Sequence, residues 1–196
     1  MPIGSRRRPL LPDFLRSLPG SIVPRRLHGA GNLWREKWQY QHVLDRIDQD
    51  HEPYHSMVEH ILEQIRSAFG CALLLDLHSM PSVFDENRRQ IAFVIGDRFG
   101  RSCESRYAEL AADHFRSGGH QVQANHPYSG GYILERHGKP QRNIHALQLE
   151  VDRSLYLDES LREPIAVAGA VAELIRNCCT MLAEQLSARD QLEAAE

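Results

Sequence analysis

Two short, uninterrupted apolar runs constrain the fold of this chain more than any other feature. The first covers residues 71–77 and contains Asp76 near its end; the second covers residues 91–95 and closes on Gly96. A run of this kind is typical of a strand buried on both faces of a parallel sheet. Because helical patterns alternate with these runs, we predict an α/β fold with a mostly parallel mixed sheet.

The helices and remaining strands follow from periodicity and from glycine, proline and capping signals. In the second helix we expect Ile61, Leu62 and Ile65 to form the buried stripe, which leaves the pairs His60/Glu63 and, on the first helix, His42/Asp45 in solvent. We predict a helix from about Trp34 to Asp50 ended by Pro53, a helix over 57–69, a helix capped by Ser102 that reaches about Arg116, strands over 121–124 and 145–151, a glycine-rich loop over 125–138, and a final helix over about 161–186.

The length of 196 residues fits one domain with a sizeable core. Residues 1–30 are rich in proline and glycine and show no regular period, so we predict an irregular N-terminal arm. Residues 31–190 are predicted to form a single α/β domain. The formal net charge of -3 gives no reason to expect a nucleic-acid or anionic-membrane partner.

The N-terminal residues do not resemble a secretory signal. Pro9, Pro12 and Asp13 interrupt any apolar core that a signal peptide would need, and no apolar run elsewhere is long enough to span a bilayer. We therefore expect a cytoplasmic protein.

The first candidate for chemistry is the pair Asp76 and His78. Residues two apart on a strand face the same side, so both side chains can point into one site. A histidine held by a carboxylate is a standard metal-ligand arrangement, because the acid fixes the tautomer. The local pattern also fits a buried histidine that Asp76 satisfies without any metal.

The second candidate is Glu150, a carboxylate in a predicted strand of otherwise apolar residues. A carboxylate in such a place must be paired, protonated or functional. It could act as a general base that takes a proton from a metal-bound water molecule. A structural salt bridge to Arg153 or Arg142 explains its presence equally well.

The third candidate is the glycine-rich loop. Gly130 and Gly131 let backbone N–H groups approach a ligand closely, and Asn125 offers an amide. Arg136 and Arg142 follow soon after, and arginine is the usual partner of a substrate carboxylate. Such loops are also commonly simple turns.

Taken together, these stretches resemble the N-formylglutamate amidohydrolase family. The resemblance covers about residues 20–159, and it is carried by the segments EPYHSMVEHILEQ, FGCALLLDLHSMPS, FVIGDRFGRSCE, NHPYSGGYILERHGKP and IHALQLEVDRSLYLDE, in this order. Several of these motifs are long, which makes the resemblance far more specific than an isolated Asp-x-His.

The resemblance implies a zinc-dependent amidohydrolase on a phosphorylase/hydrolase-like, three-layer α/β fold related to the zinc carboxypeptidases. Members cleave the formyl amide of N-formylglutamate to formate and glutamate in histidine breakdown. By this resemblance His78 is a Zn²⁺ ligand that Asp76 supports, and Glu150 is the catalytic base and acid. The residues expected to bind substrate are Asn125, Gly130, Gly131, Arg136 and Arg142.

The chain also departs from the family pattern. The family's first strand and metal-binding loop, which carry a His-Ser-Gly-type motif and further ligands, have no counterpart before Gly20. We therefore expect an N-terminally truncated member whose remaining zinc ligands are not identified. Two alternatives follow: an inactive remnant of the family, or a module that binds a carboxylate ligand without turnover.

A missing strand should leave an exposed sheet edge. Such an edge invites pairing with another chain. We therefore expect self-association or poor solubility of the chain.

Overall fold

The computed structural model describes residues 26–27, 31–32 and 39–193, which fall into two compact units, Met1–Met57 and Val58–Glu196. The strands are β1 (Arg26–Leu27), β2 (Gly31–Asn32), β3 (Ala72–Met80), β4 (Val83–Phe84), β5 (Gln90–Ile91), β6 (Phe93–Gly96), β7 (Val122–Ala124) and β8 (Ile144–Asp152). The helices are α1 (Tyr40–Arg46), α2 (Glu52–Phe69), α3 (Ser105–Ser117), α4 (Tyr132–His137) and α5 (Ala168–Glu193).

In the first unit, β1 and β2 pair antiparallel, and α1 leads into a π-helical turn over Ile47–His51. The arm predicted over residues 1–30 lies outside the described residues except for 26–27, as does the predicted helix start at Trp34. The prediction that Pro53 ends this helix is wrong, because α2 follows the π turn directly. Pro53 stands in the first turn of α2, where its missing N–H leaves no intrahelical bond unmade.

A four-stranded sheet in the order β3-β8-β6-β7 forms the centre of the second unit. β3 runs parallel to β8 and β6 parallel to β7, while β8 and β6 are antiparallel. The predicted α/β fold with a mixed, mostly parallel sheet is thereby confirmed. β3 was expected to be buried on both faces, but its residues 77–79 are exposed. Within the described sheet β3 is an edge strand.

One face of this sheet packs against α3 and α5. Phe93 of β6 stacks on Phe115 of α3 with ring centroids 4.2 Å apart, and Leu147 and Leu149 of β8 lie in the same cluster. Burial of these large apolar side chains is the main source of stability for this layer.

The opposite face packs against α2. Leu62 contacts Ala72 and Ile144 at the amino-terminal ends of β3 and β8. The predicted buried stripe is wrong in part, because Ile61 and Ile65 are 45% and 38% exposed. Only the side of α2 that carries Val58 and Leu62 reaches the sheet, since β3 is the last of the described strands on that side. His60 is exposed as expected, as is His42 on α1, while Glu63 and Asp45 are half-buried.

Two predicted helix starts are also wrong. Ser102 is buried and donates its hydroxyl to the carbonyl of Ala146, so it does not cap α3. The final helix begins seven residues later than predicted because Asp158 organises a turn: its carboxylate accepts bonds from Ser160 and from the N–H of Arg162. The glycine-rich loop contains the short helix α4. No helix in the described ranges has the length and apolar character needed to cross a bilayer.

Gly96 is the position at which the glycine-rich loop approaches the sheet most closely. A Cβ atom on Gly96 would lie 2.8 Å from the carbonyl carbon of Ser129 and 3.0 Å from the nitrogen of Gly130, whereas one on Gly131 would meet nothing within 4 Å. We expect Gly96→Ala to lower the free energy of unfolding by about 1–3 kcal/mol, because a backbone contact cannot yield without moving the loop. The matched control Gly131→Ala should change it by less than about 0.5 kcal/mol. Urea unfolding measures both, and equal effects would contradict this close approach.

Candidate functional site

Four polar side chains meet on the α2 side of the sheet, where β3 and β8 run next to each other. The parallel register places Asp76 opposite Gln148 and His78 opposite Glu150. Because side chains alternate between the two faces, all four point to one side, and Leu147 and Leu149 point to the other. The predicted meeting of Asp76 and His78 therefore extends to Glu150, near the carboxyl ends of both strands.

Asp76 and His78 form a direct pair. The Nε2 atom of His78 lies 2.9 Å from Oδ2 of Asp76. The histidine is about half exposed, with 49% of its side-chain surface accessible, and the aspartate is largely buried. A carboxylate that accepts a bond from Nε2–H orients the ring and leaves the lone pair of Nδ1 available to a ligand.

Glu150 is only 8% exposed and lies between two strands, with His78 opposite it on β3 and Val94 opposite it on β6. The amide of Gln148 donates to its Oε1 atom at 3.0 Å. Burial raises the pKa of Glu150 above its ordinary value of 4.5; the nearby charge of His78 opposes this shift and that of Asp76 adds to it. Glu150 is thus a carboxyl group that holds its proton more strongly than usual.

The two arginines considered as salt-bridge partners of Glu150 bond to other groups. Arg153 donates to the hydroxyl and carbonyl oxygens of Ser79, at 3.3 and 3.2 Å. Arg142 donates to Glu63 of α2 at 2.5 Å. The charge of Arg153 still favours the ionised form of Glu150, but it is the weakest of the contributions to that pKa.

Gln148 and Asp152 are buried polar residues that were not predicted from the sequence as part of the site. Asp152 is fully buried and accepts bonds from Ser82 at 3.0 Å, from Gln90 at 2.7 Å and from the N–H of Ser154 at 2.9 Å. These bonds tie the β4–β5 hairpin to the end of β8. The alternation of polar residues at 148, 150 and 152 in an apolar strand is the signal that could have revealed both.

Asn125 is engaged within the protein. Its Oδ1 atom accepts bonds from the N–H groups of Asp97 and Phe99, at 3.0 and 3.2 Å, and its amide donates to Asp97 at 2.7 Å. Gly130 has a φ of 109°, which a glycine adopts readily, and a Cβ there would meet Leu134 at 2.4 Å. Both residues shape the glycine-rich loop, while Gly131 borders open space.

The predicted arginines do not come together at Glu150. Arg142 lies just before the amino-terminal end of β8, whereas Glu150 lies near its carboxyl end. The eight residues from Arg142 to Glu150 correspond to roughly 26 Å of extended chain. Arg136 lies on α4 and donates to the hydroxyl of Tyr132 at 3.1 Å. A further arginine, Arg98, was missed: its N–H donates to Ser129 at 2.8 Å and its guanidinium lies 3.2 Å from Glu135.

The described side chains at this site do not form a complete set of zinc ligands. A catalytic zinc ion normally has three protein ligands and one open position. The described residues contain no group of three or more histidine, cysteine, aspartate or glutamate side chains that could hold a metal. The imidazole of His78 is a common type of zinc ligand, but these residues alone do not fit a catalytic zinc ion.

The comparisons with known proteins point to one family. A family model described as N-formylglutamate amidohydrolase matches residues 6–157. The N-formylglutamate deformylase of Pseudomonas aeruginosa is 34% identical over 141 residues, which cover 69% of this chain and 52% of that protein. The N-formylglutamate deformylase of Pseudomonas putida is 33% identical over 132 residues, which cover 65% and 48%. The chain thus spans about half the length of these curated relatives.

Two solved structures are similar in fold to this chain. An N-formylglutamate amidohydrolase from Ralstonia eutropha JMP134 aligns with a TM-score of 0.67 and 29% identity, over 83% of this chain and 59% of that one. A gene product from Agrobacterium tumefaciens aligns with a TM-score of 0.61 over 85% and 64%, and at 18% identity it shows the fold alone.

The raised pKa of Glu150 predicts a pH-dependent effect on stability. Well below pH 4.5 the carboxyl is protonated in both the folded and the unfolded chain. As the pH rises, the unfolded chain ionises first, so the wild type loses stability up to the raised folded pKa. Glutamine has no charge to bury, and Glu150→Gln should therefore gain stability relative to the wild type as the pH rises from about 4.5 to the raised folded pKa, and no further above it.

Urea unfolding at a series of pH values measures this difference. The exposed Glu86 supplies the control, because Glu86→Gln should show no such trend. A difference between Glu150→Gln and the wild type that stays constant with pH would contradict the buried position of Glu150.

Proposed function

Because the chain belongs to the N-formylglutamate amidohydrolase family, we propose that it takes part in hydrolysis of the formyl amide of N-formylglutamate to formate and glutamate. The relatives named N-formylglutamate deformylase motivate this choice of a small acylated amino acid as substrate. The chain spans about half of their length, and we propose for it the activity for which the full-length relatives are named.

The position of Glu150 is the observation that carries this proposal. Water must lose a proton to attack the formyl carbon, and the amine must gain one to leave. A carboxyl group with a raised pKa can accept the first proton and return it for the second step. Glu150 has this character and lies opposite His78.

The zinc ion that the family resemblance implies has no complete ligand set among the described residues. His78, oriented by Asp76, remains the zinc ligand that we propose from the sequence. The proton transfers above use Glu150 and water alone. A zinc ion held by His78 and further ligands would supply polarisation of the formyl carbonyl.

On the substrate side, we keep Arg136 and Gly131 as candidates for direct contact. Asn125 and Gly130 would act by holding the loop in position, since their atoms are used within it. Arg142 would contact substrate only after leaving Glu63. The three-layer, phosphorylase/hydrolase-like arrangement, the single domain over residues 31–190 and the cytoplasmic location likewise stay predictions.

A second candidate is a carboxylate-binding module without turnover. The absence of a three-ligand metal group from the described part of the chain favours it. In this case the polar face of β3 and β8 would hold a ligand and release it unchanged.

A formate-release assay with N-formylglutamate and added zinc tests the first candidate. We expect measurable turnover, and Glu150→Gln should lower kcat by roughly 10²–10⁴-fold with little change in KM, because it removes the proton carrier. Glu109 of α3, which lies on the other side of the sheet, supplies the control Glu109→Gln, which should keep wild-type kcat.

Calorimetric binding of N-formylglutamate separates the remaining outcomes. Binding without formate release would support the module and count against hydrolysis. Turnover that Glu150→Gln leaves intact would contradict the role of Glu150. If N-formylglutamate is neither bound nor hydrolysed, both candidates are overturned.

A further inference from the structure

A tyrosine of the glycine-rich loop lies beside the candidate site. The half-buried Tyr128 packs against a buried apolar cluster that includes Met80 and Val94. Met80 is two residues beyond His78 on β3, and Val94 lies directly opposite Glu150 in the register of β6 with β8. Because side chains alternate along a strand, both apolar side chains project from the face that carries His78 and Glu150. The ring of Tyr128 therefore lies on the sheet next to these two polar groups.

The backbone of the loop is fixed at the next position of β6 on the same face. The N–H of Arg98 donates to the carbonyl oxygen of Ser129 at 2.8 Å. Ser129 also passes so close to Gly96 that a Cβ atom on this glycine would lie 2.8 Å from the carbonyl carbon of Ser129. Gly96 is opposite Gln148 in the register of β6 with β8. Tyr128 is thus held along β6, beside the polar side chains of β8.

The hydroxyl group is the polar end of the Tyr128 side chain, and within residues 39–193 it forms no hydrogen bond. The hydroxyl of Tyr132, in the same loop, accepts a bond from Arg136 at 3.1 Å. During hydrolysis of a formyl amide, negative charge develops on the formyl oxygen. A hydrogen-bond donor that is already fixed near this oxygen stabilises the transition state more than the substrate.

We propose that Tyr128 is a further catalytic residue, whose hydroxyl donates a hydrogen bond to the formyl oxygen as this oxygen becomes negatively charged. The inference rests on the proposed function. It adds to Glu150, which moves the proton, a second group that acts on the substrate carbonyl.

The bond changes balance around this donor. The oxygen of water bonds to the formyl carbon, a proton of the water passes to Glu150, and an electron pair of the C=O bond moves to the formyl oxygen. Tyr128 donates a hydrogen bond to that oxygen and keeps its own proton. When the C=O bond forms again, the C–N bond breaks and the leaving nitrogen takes the proton from Glu150. The products are formic acid and glutamate, and Glu150 is again a carboxylate.

The formate-release assay with Tyr128→Phe tests this role, because phenylalanine keeps the packed ring and removes only the hydroxyl. We expect kcat to fall roughly 10²-fold with little change in KM. Tyr156 packs against the cluster on the α3 and α5 face of the sheet, and Tyr156→Phe is the matched control that should keep wild-type kcat. We expect Tyr128→Phe to unfold at the same urea concentration as the wild type. Destabilisation would contradict the inference, because the hydroxyl would then serve the fold.

The same assay separates this inference from the proposed function. If the wild type releases formate and Tyr128→Phe keeps its kcat, or changes only KM, the role of Tyr128 is overturned and the hydrolysis stands. If the wild type releases no formate, the proposed hydrolysis is overturned, and the catalytic role of Tyr128 with it.

Binding of a tetrahedral anion tests the hydrogen bond without turnover. N-phosphoryl-glutamate carries an anionic phosphoryl group in place of the formyl group, so its oxygens resemble the charged formyl oxygen. We expect calorimetry to show that Tyr128→Phe weakens binding of this anion at least about tenfold, and binding of N-formylglutamate by less than about threefold. Equal weakening of both ligands, no weakening of either, or no binding of the anion to the wild type would overturn the inference.

Discussion

The parallel pairing of β3 with β8 sets the positions of the four polar side chains at the candidate site. Its register places His78 beside Glu150 and Asp76 beside Gln148, and the same alternation sends the leucines of β8 into the core under α3 and α5. A slip of one residue would exchange the two faces and bury the polar groups among the leucines. Fold and site therefore depend on one register.

The polar residues of β8 show two ways in which a strand can hold buried carboxylates. Asp152 accepts three hydrogen bonds, which offset its loss of hydration and make it an anchor for the β4–β5 hairpin. Glu150 accepts a bond from Gln148, and burial dominates its pKa. A structural role explains Asp152 completely, whereas the poorly compensated Glu150 is the group expected to exchange protons.

Local pattern predicted much of this chain, because strand runs and period-two spacing are local properties. Local pattern predicted all four strands of the central sheet to within a few residues, and spacing alone put Asp76 and His78 on one face. Which strands would be neighbours is not encoded locally, so the facing of His78 and Glu150, the antiparallel step between β8 and β6 and the exposure of Ile61 could not be predicted. The misplaced helix start at Ser102 has the same origin: its hydroxyl bonds to Ala146, a partner 44 residues away.

The account rests on a carboxyl group that holds its proton more strongly than usual beside His78, and the pKa of Glu150 measures this directly. It can be followed by carbon NMR of the side-chain carboxyl in protein labelled at glutamate, with Glu150→Gln identifying the resonance. The account predicts a titration midpoint above the ordinary value of 4.5. A midpoint at or below 4.5 would contradict it, because Glu150 would then be solvated or paired and unsuited to carry the proton.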